Sequence, residues 1–256
     1  SVATNNIKFL TSLSVSYDYI SDLTGIEDFT ALTYLYCNSN QLTSLDVSNN
    51  TALTYLYCNS NNLTTLDVSQ NTALYNLYCD NNQLTTINVS NNLQLQTFNC
   101  SANQLTTLDV SNNNSLSNLY CSDNQFISLD ISLSPSVRRI RCYDNQLTSL
   151  DLRNGQMWDT LSWVNLTNNP QLYCIDVDDV AWSNSNWTVA NGNINSWNNF
   201  SNNCQNEIYG CTDPNTPNYN PLATIDNMTC DYGMTYVPDD NFEQALIDLG
   251  IDTDSI

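Results

Sequence analysis

A pattern of 21 residues recurs along the middle of the chain, and it restricts the possible folds more than any other feature. The segment LTYLYCNSNQLTSLDVSNNTA is followed at once by LTYLYCNSNNLTTLDVSQNTA. Copies start at Leu32, Leu53, Leu74, Leu95 and Leu116, and a drifting copy starts at Val137. A fixed period of this length predicts a solenoid, because each short unit buries its apolar side only by stacking on its neighbours.

Each repeat contains a short alternation of apolar and polar residues, followed by an asparagine. In the first copy, Leu35 and Cys37 alternate with Tyr34 and Tyr36, which predicts a strand with one inward and one outward face. The strand of the next coil is expected to lie parallel beside it. The asparagines recur as Asn40, Asn61, Asn82, Asn103, Asn124 and Asn145. A buried amide at this position can satisfy backbone groups that the turn leaves unpaired.

The pattern L-x-x-L-x-(L/C)-x-x-N-x-L resembles the leucine-rich repeat over residues 10–178, and its asparagines match that family's asparagine ladder. Residues 10–31 form a 22-residue coil similar to those of internalins, in which Asp18 replaces the ladder asparagine. Another late coil spans residues 161–177. The resemblance implies a mainly β protein, with a leucine-rich-repeat solenoid of about eight coils over residues 1–179.

A second, nested period lies inside each repeat. Leu42, Leu45, Val47 and Asn50 repeat the spacing that runs from Leu32 to Asn40. Each coil is therefore expected to carry two strands. The prediction is a flattened solenoid with a parallel sheet on each side and little or no helix within the 21-residue coils.

The region after the coils resembles leucine-rich-repeat proteins secreted by Bacteroidetes. Residues 180–204 are similar to a C-terminal cap, in which Trp182, Trp187 and Trp197 cover the last coil. Residues 205–235 hold GCTDPNTPNYNPLATIDNMTC, which is similar to a small module of the same secreted proteins. Oxygen-bearing side chains in this module are candidate calcium ligands, although no EF-hand spacing is present: Asp213, Asn215, Asn218, Asn220 and Asp226. The alternative is a plain disulfide-closed loop.

Residues 236–256 have the pattern of a short C-terminal helix. Asp240 and Glu243 form a capping pair, and an apolar face follows at Phe242, Leu246 and Leu249. In the proteins that the chain resembles, such a segment precedes the first coil and caps it. We therefore interpret it as the cap of a next unit, or of the chain's own first coil, packing on apolar residues near the start of the chain: Ile7, Leu10 and Leu13.

The ten cysteines fall into two groups. Six occupy one inward repeat position: Cys37, Cys58, Cys79, Cys100, Cys121 and Cys142. They are either a metal or redox ladder or small apolar core residues, and the second interpretation is favoured because metal sites prefer clustered spacings with histidine nearby. The other four form an even set, which predicts two disulfides in a secreted chain. Sequence allows three pairings, of which we favour Cys174–Cys204 with Cys211–Cys230.

Composition excludes several classes of function. The chain has 5 Lys and Arg against 26 Asp and Glu, for a net charge of -21, and such a surface repels nucleic acid and anionic membranes. No apolar run is long enough to span a bilayer. The chain contains no histidine, and its aspartates recur at a repeat position instead of converging on a pocket: Asp46, Asp67, Asp109, Asp130 and Asp151. We therefore expect neither an enzyme nor a resident cofactor.

Two functions remain, both extracellular or at the cell surface. The first is a structural unit that assembles head to tail with copies of itself into a fibre or stalk, because the terminal cap segment suits another unit. The second is an adhesion module that recognises a protein or glycan through outward sheet residues: Tyr34, Tyr36, Tyr55, Tyr57, Tyr78, Tyr120, Arg139, Arg141 and Tyr143. The tyrosines also have a structural interpretation, in which they stack on one another and stiffen the sheet.

Glycosylation is a further expectation. N-x-[ST] motifs mark Asn49, Asn62, Asn113, Asn165, Asn186, Asn199 and Asn227. The resemblance to Bacteroidetes proteins implies O-glycosylation instead, at Asp-Ser/Thr followed by an apolar residue, which matches Thr160 and Ser255.

Overall fold

The structure is a computed structural model that describes residues 7–155, 161 and 163–232. The chain divides into two compact units, residues 1–204 and 205–256, and each is described by itself. The cap segment predicted at residues 236–256 lies outside the described residues.

The first unit is a β-solenoid of about nine turns with parallel sheets. Its larger sheet has eight parallel strands, one per coil, numbered here in chain order. They are β1 (Ser12–Ser14), β2 (Tyr34–Tyr36), β3 (Tyr55–Tyr57), β4 (Asn76–Tyr78), β5 (Thr97–Asn99), β6 (Asn118–Tyr120), β8 (Arg139–Arg141) and β10 (Trp163–Asn165). Successive strands pair in strict register, so that Leu35 lies beside Leu56 and Leu56 beside Leu77. The mainly β, leucine-rich-repeat-type architecture predicted from the repeats is confirmed.

The second sheet is shorter than the nested period predicts. It contains four strands, in the order β12, β11, β9, β7. They are β7 (Ser128–Asp130), β9 (Ser149–Asp151), β11 (Cys174–Asp176) and β12 (Asn199–Ser201). The matching segments of the coils that start at Leu32, Leu53, Leu74 and Leu95 form no strand. The expectation of two strands in every coil is therefore wrong for the earlier coils and holds only for the later ones.

Inward repeat positions build one continuous core. The leucines of the repeat are almost all fully buried, and the six ladder cysteines are buried with them. The Cys58 and Cys79 thiols donate weakly to the carbonyls of Tyr78 and Asn99, at 3.5 Å each. Burial raises the pKa of Cys37 to about 12, so its thiol stays protonated at neutral pH. These environments favour cysteine as an apolar core residue.

Two ladders of asparagine side chains join the coils. In the first, the Asn61 amide donates to the carbonyls of Cys37 and Cys58, at 3.0 Å each, and its oxygen accepts from the Leu42 N–H. The second ladder is Asn50, Asn71, Asn92 and Asn113, all fully buried, and Ser134 continues it. Each rung donates to carbonyls of the preceding coil, and these bonds satisfy backbone groups that the turns leave open.

The last coil is closed by a short helix, aromatic side chains and a disulfide. Helix α1 (Val180–Asn186) begins where the Asp179 side chain accepts from the Trp182 N–H. Trp187 is buried and contacts Trp182 edge to face, with ring centroids 5.4 Å apart. Near them a disulfide joins Cys174 to Cys204. Residues 180–204 therefore contribute a helix, and also strand β12, to this end of the solenoid.

Arg153 ties the second sheet together at the same end. Its guanidinium pairs with Asp151 on β9 and lies 3.6 Å from Asp176 on β11. It also donates to the carbonyl of Asn202, at 2.9 Å, just after β12. One side chain thus links three consecutive coils.

The second unit, as far as it is described, is a small disulfide-closed module. Strands β13 (Tyr209–Gly210) and β14 (Ile225–Asp226) are parallel, and a disulfide joins Cys211 to Cys230. A Cβ at Gly210 would come within 2.9 Å of the Asn220 Cβ, so the close packing requires glycine. The described part of the chain also contains two 3-10 helices, Ile26–Asp28 in the first unit and Cys204–Asn206 at the boundary between the units. Among the described residues, no helix is long and apolar enough to cross a membrane.

Candidate ligand-binding face

The outward surface of the eight-stranded sheet, here called the sheet face, is the candidate site. Each strand has three residues, and the outer two point away from the core. The middle residue is buried in every strand of this sheet except β1, whose Leu13 is half-buried. One row of outer residues is Ser12, Tyr34, Tyr55, Asn76, Thr97, Asn118, Arg139 and Trp163. The other row is Ser14, Tyr36, Tyr57, Tyr78, Asn99, Tyr120, Arg141 and Asn165. Strict register therefore aligns chemically similar residues from consecutive coils.

The tyrosines of the first coils stack on one another. Tyr34 and Tyr55 lie 4.7 Å apart between ring centroids, with planes only 11° from parallel. Tyr57 is sandwiched between Tyr36 at 4.9 Å and Tyr78 at 4.6 Å. Because these spacings match the strand separation of about 4.8 Å, the sheet itself sets the stack. Most ring faces are therefore used within the protein, and the ring edges and hydroxyls remain for a ligand.

One aromatic neighbour of the stack was not predicted. Tyr75 precedes β4, lies 5.9 Å from Tyr55 and donates a hydrogen bond from its hydroxyl to Gln96. The corresponding positions in the two preceding coils are Thr33 and Thr54, so the repeat pattern gave no reason to expect a ring there.

The opposite end of the sheet face is cationic and aromatic. The Arg141 guanidinium carbon lies 3.9 Å from the Trp163 ring centroid and 5.2 Å from the Tyr120 ring centroid. Cation–π contact of this kind holds a guanidinium in place while its N–H groups remain able to donate. Trp163 was missed by sequence reasoning, although its position two residues before Asn165 is the outward position of the strand frame. Tyr143, also predicted for this face, follows β8 and is half-buried.

Asp80 lies just beyond the tyrosine stack, two residues after Tyr78. Burial raises the pKa of its carboxyl group, and its Oδ1 has no hydrogen-bond partner within the described part of the chain. Burial also raises the pKa of the Tyr78 hydroxyl, with a further contribution from the neighbouring Tyr57. Tyr78 and Asp80 are both half-buried, so this part of the face is partly shielded from water, which strengthens polar contacts made there.

The calcium ligands predicted in the second unit make hydrogen bonds within their own module. Asp213, Asn220 and Asp226 each accept a backbone N–H two residues further on, as in ordinary turns. Asn218 contacts the backbone of Thr229 and Asp231, and Asn215 donates to Asp213. Residues 7–155, 161 and 163–232 contain no group of three or more acidic, cysteine or histidine residues suited to a metal.

The recurring aspartates serve the turns of the solenoid. Asp46 accepts from the Ser48 N–H, and its homologues in later coils make the same contact. Hydrogen bonds from Ser48 lower the pKa of Asp46, which keeps it ionised. Asp151 makes the same contact with the Arg153 N–H, and its carboxylate also pairs with the Arg153 guanidinium. Asp46, Asp67, Asp109 and Asp130 therefore each stabilise the turn that carries them.

The proposed modification and docking residues differ widely in exposure. Asn49, Asn62 and Asn186 are exposed, and Asn165, Asn199 and Asn227 are half-buried. Asn113 is fully buried and donates to the carbonyls of Val89 and Asn92, so its proposal as a glycan acceptor is wrong for the folded chain. Thr160 and Ser255 lie outside the described residues.

The apolar residues proposed to receive a cap lie before and within β1. Leu10 is 40% exposed, while Ile7 and Leu13 are half-buried. Phe9 beside them is 74% exposed. The other side of the proposed contact, Phe242, Leu246 and Leu249, lies outside the described residues.

Comparison with protein-family models and with curated proteins finds no match for this chain. Solved structures do match it, among them internalin InlF of Listeria monocytogenes, with 22% identity and a TM-score of 0.54 over 65% of this chain. Internalin C2 of the same organism matches with 19% identity and a TM-score of 0.54 over 72% of this chain and 80% of its own. A leucine-rich-repeat protein of Leptospira interrogans matches with 21% identity and a TM-score of 0.51 over 62% of this chain.

The chain has the leucine-rich-repeat fold. The matches span only about half of InlF and of the Leptospira protein, 49% and 46% of their lengths. At these identities the likeness concerns the fold alone. The shared fold identifies the chain as a repeat-protein module. Its function has to be argued from the residues of the sheet face.

Proposed function

We propose that this leucine-rich-repeat unit is a non-catalytic binding module that recognises a protein or glycan through the sheet face. The observation that carries the proposal is the alignment of aromatic, amide and arginine side chains in two outward rows of one rigid sheet. Tyrosine and arginine are among the residues enriched at binding surfaces.

The stack also explains how such a face could bind at low entropic cost. Tyr55 and Tyr57 are held by neighbouring rings on both sides, so they lose little rotamer freedom when a ligand arrives. Side chains that are fixed before binding make association more favourable. The structural role of the stack and a binding role are therefore compatible.

A location outside the cell is supported by the disulfides. Two disulfides are typical of oxidising compartments. A net charge of -21 keeps copies soluble and opposes contact with nucleic acid. A non-catalytic role is supported by the lack of histidine in the sequence and by the local contacts of the repeat aspartates.

Binding to a glycan array and to a panel of secreted proteins tests the proposal. Tyr57→Ala removes the centre of the stack, and Leu93→Ala is a matched control because Leu93 is 53% exposed but lies outside the sheet face. We expect Tyr57→Ala to weaken binding by about tenfold or more, as for an interface hot spot, while Leu93→Ala binds normally. Equal binding by both variants and the parent chain would overturn the proposal.

A second function, head-to-tail assembly, is favoured by the edge strand and the exposed apolar residues of the first coil. Among the described residues, β1 pairs with β2 alone, and Phe9 and Leu10 expose apolar surface beside it. We propose that segment 236–256 of another copy covers this end, because an open sheet edge with apolar neighbours invites pairing. Light scattering across a concentration series tests this. Growth with concentration that Leu246→Glu abolishes would support it, and a monomer at every concentration would rule it out.

A further inference from the structure

The arginine end of the sheet face, defined here as Arg139, Arg141, Trp163 and Asn118, differs in charge from the rest of the molecule. The chain has only five basic residues, and two of them project from the single strand β8. Within the described residues, the ion pairs are those of Arg153, and no carboxylate lies within 4.0 Å of Arg139 or Arg141. In a chain with 26 acidic residues, two arginines that form no ion pair with any described residue point to an anionic ligand.

The geometry prepares one guanidinium to bind a flat anion. Arg141 is packed against the ring of Trp163 on one side and approaches Tyr120 on the other. Among the described residues, no acceptor takes a hydrogen bond from the Arg141 side chain, so its N–H groups remain for a ligand. Arginine edges bind carboxylates in a bidentate manner, and fixing the side chain beforehand reduces the entropy lost on binding.

The residues around the two arginines indicate that the ligand offers more than a negative charge. Trp163 keeps 42% of its surface exposed even though Arg141 lies over its ring. Asn118 lies beside Arg139 in the strand register, and Asn99 lies beside Tyr120. An exposed indole offers a platform for a sugar ring, and neighbouring amides can exchange hydrogen bonds with hydroxyl groups. An acidic peptide would satisfy the arginines but would leave this combination of indole and amides without a role.

We propose that the arginine end binds a carboxylate-bearing sugar unit of an acidic polysaccharide. Arg139 and Arg141 hold the carboxylate, Trp163 contacts the sugar ring, and Asn118 bonds to ring hydroxyls. The inference rests on the proposed function, since it names the ligand class for one end of the same face.

Three soluble polymers test the proposal with the complete chain. Polygalacturonate carries a carboxylate on every ring, carboxyl-reduced polygalacturonate keeps the rings without the charge, and polyglutamate keeps the charge without the rings. Binding is measured by calorimetry with EDTA present, in 0.15 M NaCl, where the Debye length of about 8 Å screens distant acidic residues. We expect binding to polygalacturonate, at least about tenfold weaker binding to polyglutamate, and none to the reduced polymer.

Single variants separate the contribution of the arginine charge from that of the contact between Trp163 and the sugar ring. Arg139→Gln should weaken polygalacturonate binding by about tenfold or more, because it removes charge-assisted hydrogen bonds. Lys8→Gln is the matched control, since it makes the same charge change near β1 at the other edge of the sheet. Trp163→Ala should remove the preference for polygalacturonate over polyglutamate. Thermal melting of each variant checks that it is folded.

The outcomes distinguish a failure of the sugar-binding inference from a failure of the proposed function of the sheet face. Equal binding of polygalacturonate and polyglutamate would overturn the sugar assignment and leave an acidic-peptide site. No binding of either polyanion would overturn the arginine site altogether. In both cases a ligand that is lost in Tyr57→Ala would still support the proposed function.

Discussion

Asn103 is a buried rung of the first asparagine ladder, and its replacement tests how the coils are held together. Its amide donates to the carbonyls of Cys79 and Cys100, at 3.1 Å each, and of Ser101, at 3.2 Å. Its oxygen accepts from the Leu84 N–H at 2.9 Å. Asn103→Ala removes all of these contacts in one coil without changing any outward residue.

The expected loss of stability depends on which backbone groups keep another hydrogen-bond partner when the Asn103 side chain is removed. The Cys79 carbonyl still accepts from Asn82, and the Cys100 carbonyl still accepts from Asn124. Only the buried Leu84 N–H loses its partner, which costs about 1–3 kcal/mol. Two good amide bonds add about 0.5–1.5 kcal/mol each, so Asn103→Ala should destabilise the solenoid by about 2–6 kcal/mol.

Urea denaturation followed by circular dichroism measures the effect. Gln104→Ala is the control, because the Gln104 side chain is exposed and its backbone bond to Leu84 is unchanged, so the shift should stay within about 0.5 kcal/mol. Hydrogen exchange at the Leu84 amide should accelerate in Asn103→Ala beyond the global change. A loss below about 1 kcal/mol, or an equal loss in Gln104→Ala, would refute the reasoning.

Three further predictions concern other parts of the chain. Burial raises the pKa of Asp80 above its unfolded value, so Asp80→Asn should raise the melting temperature at neutral pH. This gain in melting temperature should shrink as pH falls below the folded pKa, and it should vanish below about pH 3.8. Thermal melts of both proteins across this pH range measure it. Burial raises the pKa of Cys37 and Cys142 to about 12, so a thiol reagent should label none of the six free cysteines in the native protein and all six in denaturant. Gly210→Ala should loosen the small module and speed its proteolysis, because the new Cβ would meet Asn220 at 2.9 Å, and unchanged proteolysis would contradict this.

The solenoid could be predicted because its determinants are local and periodic. A residue such as Leu56 is buried for the same reason in every coil, and strict register then places Tyr34, Tyr55 and Asn76 in one outward row. The tyrosine stack follows from that register and from the strand spacing. The composition and the 21-residue period were therefore enough to predict the sheet, the core and the outward position of the tyrosines on its strands.

Other features depend on geometry that the period does not contain. The nested leucines of the early coils have strand-like spacing, but strand pairing also needs neighbouring backbones within hydrogen-bonding distance, and this occurs only from Ser128 onward. Asn113 matches a glycosylation motif and is also a rung of the buried second ladder. Only the nested period could have shown that the second role excludes the first. Trp163 was missed because its coil departs from the 21-residue frame.

The location of function in this chain follows from the contrast between inward and outward positions. Inward residues repeat because each coil must fit the same neighbours, and a changed volume at Leu77 would disturb both adjacent coils. Outward residues meet solvent and are free to vary, yet the two outer rows change in blocks, from tyrosine at β2 and β3 to arginine at β8. Packing does not require such a change, since Tyr34 and Arg139 stand at equivalent positions of the same sheet. If the sheet face binds a ligand as proposed, departures from the repeat at outward positions are where that ligand has the most influence on the sequence. The arginine end is the largest such departure in charge.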